Sequence, residues 1–350
     1  MYVLIGILLL GILIAVHEFG HFIAARICGI EVMEFAIGMG PKIFGWTGKS
    51  GTKFSLRCIP LGGFCAFYGE DDVEGKSKDD PRAYGKQNVW KRIFTVAMGP
   101  MMNFVLALVV AIAVYTFMAM PVYEPVITEI VAESPAAQAG LQPGDVITAV
   151  DGKDVLDGTT TALSAAIGNI EGVQEHHLTI RRGEETFEAV ASTYWDEAEQ
   201  KYRIGITFTG NVVGSYRLSF GQAVAEGWNY CIDAGTMVFT ALKGIFTDPA
   251  IRDQMAGPVG TVQVVSEAVK QDGAVAFFSL LVVISVNLGI MNLLPIPGLD
   301  GSRIVFHLIE AVRGKPIKPE REALVHFIGM IFLFGLMIFF TFKDVIRLFQ

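Results

Sequence analysis

Four long apolar stretches constrain this chain more than any other feature. They run from about Tyr2 to Ala25, Ile93 to Ala119, Ala274 to Leu294 and Leu324 to Phe342. Each approaches or exceeds the roughly 20 residues that a helix needs to cross a bilayer. Composition agrees: the 350 residues are 52% hydrophobic and 18% charged, with a mean hydropathy of +0.48, too apolar for an ordinary soluble domain. A secretory leader is the rival reading of the first stretch. It fails because Met1 to Val16 carries no basic residue and the polar residues lie inside the stretch. The formal net charge of −8 lacks the basic footprint of a nucleic-acid binder. The expected fold class is therefore a polytopic α-helical membrane protein with four spans, whose first partner is the lipid bilayer.

Lysine and arginine counts orient the spans. Residues 26–92 hold 11 of them, and residues 295–323 hold five, whereas the stretch of about 150 residues between spans two and three holds nine. The first and third connections are thus expected in the cytosol, with both termini and residues 121–273 outside. The four cysteines, Cys28, Cys58, Cys65 and Cys231, have no disulfide or metal spacing and read as free thiols.

Four segments follow from this reading. Residues 1–120 form the first half of a membrane core, with a β region near 31–70 and a polar, acidic linker over 70–92. Residues 121–210 form an outer module, residues 211–273 amphipathic connecting helices, and residues 274–350 the second half of the core. In the outer module, Val126 to Ile130, Leu178 to Arg182 and Phe187 to Val190 read as strands, with turns at Asp151-Gly152 and Gly183. Its Ser134-Pro-Ala-Ala-x-Ala-Gly-Leu-x-Pro-Gly-Asp145-x-Ile147 string resembles the PDZ domains of secreted and membrane proteases. Beyond it, Phe220, Val224, Trp228, Cys231 and Ile232 recur at helical spacing. They suit a helix lying on the outer membrane surface or one packed on the module.

Within span one stands His17-Glu18-Phe19-Gly20-His21. Positions i and i+4 share a helix face, so both imidazoles can reach one metal ion, and Glu18 lies about 100° away, within reach of a water proton. Zinc suits such a site, taking nitrogen and oxygen ligands with one place left for water. Buried, mutually paired polar residues are the alternative, but ionisable groups inside an apolar span are expensive and mark function by default. A third protein ligand is needed, and Asp300, His307, Glu310 and His326 lie on the same side; His176 and His177 lie across the membrane. Asp300 follows a Pro295-Ile-Pro-Gly298 break at the end of span three, and broken helices at membrane depth line cavities. That favours Asp300 without excluding His307, which also suits a surface position on the amphipathic segment Ile304 to Val312. A metal transporter and an inactive scaffold are the rival functions. Against the first, only span three is visibly broken; against the second, a scaffold needs no proton acceptor beside the ligands.

Three motifs in this order, His17-Glu18-x-x-His21, Gly99-Pro100-Met-Met-Asn103 and Asn292-x-x-Pro-x-Pro-x-x-Asp300-Gly301, resemble the site-2 protease family over nearly the whole chain. With the PDZ-like insertion they are most similar to its bacterial regulator-of-sigma-E protease group. The resemblance implies a zinc endopeptidase with His17, His21 and Asp300 as ligands and Glu18 as the catalytic carboxylate. Its substrates would be single-span membrane proteins, such as anti-sigma factors or remnant signal peptides, in the bacterial inner membrane, with the PDZ-like module gating entry. The group's implied membrane sheet corresponds to Phe35 to Phe44 with the alternating Lys53 to Cys58 strand, whose edge would take an unwound substrate by strand addition. The expected substrate-binding residues are Asn287, Asn292, Asn103, Gly62, Gly63 and Phe64. Asn287 and Asn292 are about 140° apart on an ideal helix, so they share one spot only if it distorts.

Overall fold

A computed structural model describes residues 2–70, 80–156, 163, 166–167, 172–197, 201–247, 257–315, 317 and 319–348. The linker residues 71–79, part of the PDZ-like segment and residues 248–256 of the connecting segment lie outside them. The chain divides into two units, residues 1–114 with 222–350, and residues 115–221.

Unit one is helical. Helix α1 spans Tyr2–Cys28 and α2 spans Val89–Phe117. Helix α4 covers Phe220–Thr247, α5 Pro258–Leu293 with a break at Gly273, α6 Asp300–Arg313 and α7 Pro319–Leu348. Among the described residues, four segments are long and apolar enough to cross a membrane: Tyr2–Cys28, Val89–Phe117, Gly273–Leu293 and Glu320–Ile346. Helix α2 stops short of the Ala119 expected for span two, because Met120 already pairs in a strand. Glycines set the closest helix contacts. A Cβ on Gly20 would collide with the Met98 carbonyl, so α1 and α2 touch at backbone distance there. Asp344 of α7 accepts hydrogen bonds from the N–H groups of Gly257 and Gly260 at 3.2 and 2.8 Å, satisfying donors at the start of α5.

On helix α4 the expected stripe lies mostly at the surface, with Cys231 the one of its five residues packed inward. Phe220, Val224, Trp228 and Ile232 are exposed, while Ala223 and Ala234 are buried. Its small residues make the contact: Ala234 packs with Ala107 and Ala111 of α2 and Val282 and Val286 of α5, and a Cβ on Gly227 would sit 3.0 Å from Ile112. Small residues let helix backbones approach closely, and the large side chains are left pointing outward.

Between α1 and α2 lie strands β1 (Val32–Thr47) and β2 (Lys53–Phe67), folded over one another. Lys53 to Leu56 is flanked by Phe44 to Thr47 on one side and Glu34 to Ile37 on the other; Glu34 to Ile37 in turn pairs with Gly63 to Ala66. Gly38, Gly40 and Gly62 have φ of +86°, +80° and +80°, which lets the strands bend so sharply. Phe22 of α1 meets Phe35 and Phe54 of the sheet, both at 5.7 Å between ring centroids. Ile43, Phe44, Trp46, Leu56 and Ile59 are exposed, an apolar surface for strands of this length.

Unit two holds an antiparallel sheet in the order β10-β3-β4-β6-β7, with β5 on β4 and a separate β8-β9 pair. The strands are β3 Met120–Ile130, β4 Val146–Val150, β5 Lys153–Asp154, β6 Glu175–Arg182, β7 Glu185–Ser192, β8 Tyr194–Asp196, β9 Lys201–Arg203 and β10 Ile206–Tyr216. The short helix α3, Pro135–Gln138, is capped by the Ser134 hydroxyl, which accepts from the Ala137 N–H at 3.2 Å. Ile127, Ile147, Leu178, Ile180 and Ile204 fill the core. The module expected to end at residue 210 continues to Tyr216, so residues 211–216, expected among connecting helices, extend β10 against Met120 to Glu124 instead. Buried Asp145 takes two hydrogen bonds from Arg182, at 2.7 and 2.8 Å. Burial raises the Asp145 pKa, but Arg182 and the Gln142 N–H outweigh it and hold the carboxyl below its usual range.

Candidate metal centre

The histidine pair is one helical turn apart on α1, and the structure turns both rings to the same point. The two Nε2 atoms lie 3.2 Å apart, and Asp300 Oδ2 lies 3.0 Å from His17 Nε2 and 3.4 Å from His21 Nε2. Among the described residues, these three form the one group of histidine, cysteine and acidic side chains compact enough to hold a metal ion. Asp300 reaches them because α5 ends at Leu293 and the chain breaks over 294–299 before α6 begins. Gly298 turns at φ +97°, and a Cβ on Gly301 would strike the Leu293 and Leu294 carbonyls, so only glycine lets α6 start this close to α5. A Cβ on Gly329 of α7 would likewise strike Pro297.

Each imidazole is oriented through its other nitrogen. His21 Nδ1 donates to the Thr95 carbonyl at 3.0 Å, so its Nε2 is left with a lone pair facing Asp300 and His17. His17 Nδ1 lies 3.1 Å from the Asn103 amide, which is wholly buried. The amide nitrogen faces Nδ1, and Asn103 Oδ1 is buried with no partner among the described residues; turning the amide over sets Oδ1 against Nδ1, so that the Nδ1–H donates and Nε2 is again free to bind. The Ser285 hydroxyl of α5 donates to the Asn103 carbonyl at 2.8 Å, tying a third helix to the pair.

Three observations match this pocket to a metal. Asp300 Oδ2 is buried with no hydrogen-bond donor, although it lies against both histidines. Two imidazole nitrogens and one carboxylate oxygen are the donor set of a zinc site with an open position. Gly99 makes the cradle: a Cβ there would collide with the His21 ring and lie 3.0 Å from His17 Nε2. In the sequence Gly99 is the first residue of the Gly99-Pro100-Met-Met-Asn103 motif; its role, and those of the Thr95 carbonyl and Ser285, emerge from packing.

Glu18 is buried beside the cluster, with Gly63 of β2 against it; a Cβ on Gly63 would sit 2.9 Å from Glu18 Cγ. Of the residues expected to bind substrate, Gly63 lies at Glu18 and Asn103 lies behind His17. Gly62 lies at the bend of β2, and Phe64 under the Arg57 guanidinium at 4.8 Å. Asn287 is exposed and Asn292 half-buried on α5, and neither side chain hydrogen-bonds to any described residue.

The other ligand candidates are engaged elsewhere. His307 is buried, which rules out the surface position it also suited, and its Nε2 lies 3.2 Å from the Tyr84 hydroxyl. Burial, reinforced by Arg92 and Arg303, pushes its pKa down to about 3, so it is neutral. Glu310 pairs with Arg92. His326 Nδ1 accepts from the Gly298 N–H at 3.4 Å.

Fold and site together define a multi-pass membrane protein with a metal-type cluster in its helical unit. The model of Peptidase family M50 matches residues 5–336, and the chain belongs to that family of proteases, the site-2 proteases. It is similar to the regulator of sigma-W protease RasP of Bacillus subtilis, 31% identical and covering 98% of both chains. It is also similar to the zinc metalloprotease RasP of Oceanobacillus iheyensis, again 31% identical over 98% of each. A relative from Clostridium perfringens is 35% identical over 99% of each.

Proposed function

We propose that this chain is an intramembrane zinc endopeptidase in which His17, His21 and Asp300 hold the metal and Glu18 carries the proton. The observation that bears this reading is the convergence of two imidazole nitrogens and an otherwise donor-free carboxylate oxygen within 3.4 Å of one another. Zinc, when bound, supplies Lewis acidity, polarising a peptide carbonyl and making water a better nucleophile at neutral pH. Glu18 takes the proton of the attacking water and returns it to the departing amine nitrogen. Thr95 and Asn103 keep the imidazoles turned to the metal through both steps.

A peptide bond in a spanning helix is shielded by its own hydrogen bonds, and freed backbone groups cost several kcal/mol in hydrocarbon unless they are re-paired. The β2 segment Gly63 to Ala66 pairs with β1 and passes against Glu18. It supplies an edge on which an unwound segment is held as an added strand. Gly62, Phe64, Asn287 and Asn292 complete the substrate surface. The membrane is the bacterial inner membrane, with the cluster towards the cytosol and the PDZ-like residues 121–210 outside. That outer unit is a PDZ-like filter which admits single-span substrates only after their outer domains have been trimmed, as suits anti-sigma factors or remnant signal peptides.

The test is a purified Glu18→Gln variant beside the unmodified protein, with bound zinc and cleavage of a single-span reporter both measured. The proposal expects zinc in both and cleavage only with Glu18; cleavage by the variant, or a zinc-free active protein, overturns it. For the filter, deletion of residues 126–208 should allow cleavage of untrimmed substrate, and its continued exclusion would refute gating.

A further inference from the structure

Helix α6 is built inside out. Its inward face carries Arg303, His307 and Glu310, which bind Glu70, Tyr84 and Arg92 in turn. Its outward face carries Val305, Leu308, Ile309 and Val312, at i, i+3, i+4 and i+7, all exposed, with Val312 88% exposed. In a water-soluble fold the polar face would be outside. The helix is also tethered at both ends: six residues separate it from the end of α5 and five from the start of α7. It therefore stays at the level of the spanning helices' ends. At its end and just beyond stand Arg313, Lys315 and, in the first turn of α7, Arg321, all exposed, with no carboxylate partner among the described residues; Glu320 is the exposed acid nearby.

An apolar stripe with a basic edge at the boundary of spanning helices is the pattern of a helix lying in a lipid interface. We propose that α6 is an in-plane anchor, its Val305-Leu308-Ile309-Val312 face in the acyl layer and Arg313, Lys315 and Arg321 on anionic phospholipid headgroups. The occupant is lipid because the stripe is continuous with a cationic edge, and basic residues at a membrane surface draw acidic headgroups. Asp300 opens this same helix, so the anchor also fixes the platform on which that carboxylate stands. The inference rests on the membrane reading of the chain and holds whether or not Asp300 binds zinc.

The test uses the full chain with a benzoylphenylalanine photoprobe at position 312, or at 308 as a second site, in vesicles of phosphatidylcholine with phosphatidylglycerol. A probe at Val109, exposed on α2, is the lipid-facing reference, and one at Val173 in the outer unit is the blank. Mass spectrometry should find phospholipid adducts at 312 at the level of 109. Adducts with a second copy of the chain or with a reporter substrate, or no lipid adduct above the level of 173, would overturn the proposal. Native mass spectrometry reads the headgroup half independently. The unmodified protein should retain phosphatidylglycerol over phosphatidylcholine, and Arg313→Gln/Lys315→Gln/Arg321→Gln should lose that preference by about 100-fold. An unchanged preference would refute the headgroup assignment. Neither measurement depends on cleavage, so failure here is separable from failure of the protease proposal.

Discussion

Adding a single methyl group at Gly99 should empty the metal centre while leaving the fold intact. In Gly99→Ala the new Cβ lies inside the contact distance of the His21 ring and 3.0 Å from His17 Nε2, between the two nitrogens that face Asp300. The backbone cannot retreat easily, because Gly99 is buried in α2 directly before Pro100 and Gly20 already brings α1 to backbone contact with Met98. The His21 ring must therefore leave its position, giving up its bond to Thr95 and its approach to Asp300. Losing only an outer partner of a ligand typically costs 10–100-fold in metal affinity, so displacing a ligand should cost more than about 100-fold. Stability moves far less. Overpacking costs roughly 1–3 kcal/mol, partly offset by about 0.5–1 kcal/mol from replacing a helical glycine. Gly11→Ala is the control, since nothing lies within 4 Å of a Cβ there. Chelator competition against purified protein reads zinc affinity, and thermal unfolding in chelator reads the apo fold. Wild-type zinc affinity in Gly99→Ala would refute the geometry on which the site is built.

Three further outcomes follow. Asn103→Ala removes the partner of His17 Nδ1 and should weaken zinc binding about 10–100-fold in the same competition assay. Arg92→Ala leaves the half-buried Glu310 carboxylate unpaired and should destabilise the protein by about 3–5 kcal/mol in reversible unfolding, whereas Arg92→Ala/Glu310→Gln should recover much of that. His307 is held neutral, its pKa depressed to about 3 against an ordinary value near 6.5. The unfolded chain thus binds the extra proton between those values, so stability is full above about pH 6.5 and falls as pH drops towards 3. The slope attributable to this group approaches 1.4 kcal/mol per pH unit, and His307→Phe should flatten it.

The sequence made some of this architecture legible because the relevant physics is local. Apolar runs of about 20 residues mark spanning helices by length alone, and two histidines four apart share a face whatever surrounds them. Asp300 was different. Its broken-helix setting made it the better candidate, but His307 stood seven residues on, one more turn-pair along the same helix. Only packing shows that His307 turns away to Tyr84 and that Glu310 is taken by Arg92. The glycines were opaque for a related reason: Gly20, Gly99 and Gly301 matter for what would collide with a side chain they lack, and a sequence does not print collisions. The helical spacing of the α4 stripe was legible but not what it would touch: Phe220, Val224, Trp228 and Ile232 are exposed, whereas the small Ala223 and Ala234 are buried. Strand β10 ran past the expected end because its partner, β3, starts earlier than the hydrophobic alternation suggested.

Zinc-edge X-ray absorption on the purified, metal-loaded protein and on Asp300→Ala tests the central claim most directly. The account predicts a wild-type spectrum with two imidazole nitrogens and light-atom oxygen ligands at about 2.0–2.2 Å, and an Asp300→Ala spectrum that loses an oxygen ligand. Sulfur scattering near 2.3 Å, missing imidazole signatures, or an identical spectrum from the variant would contradict it.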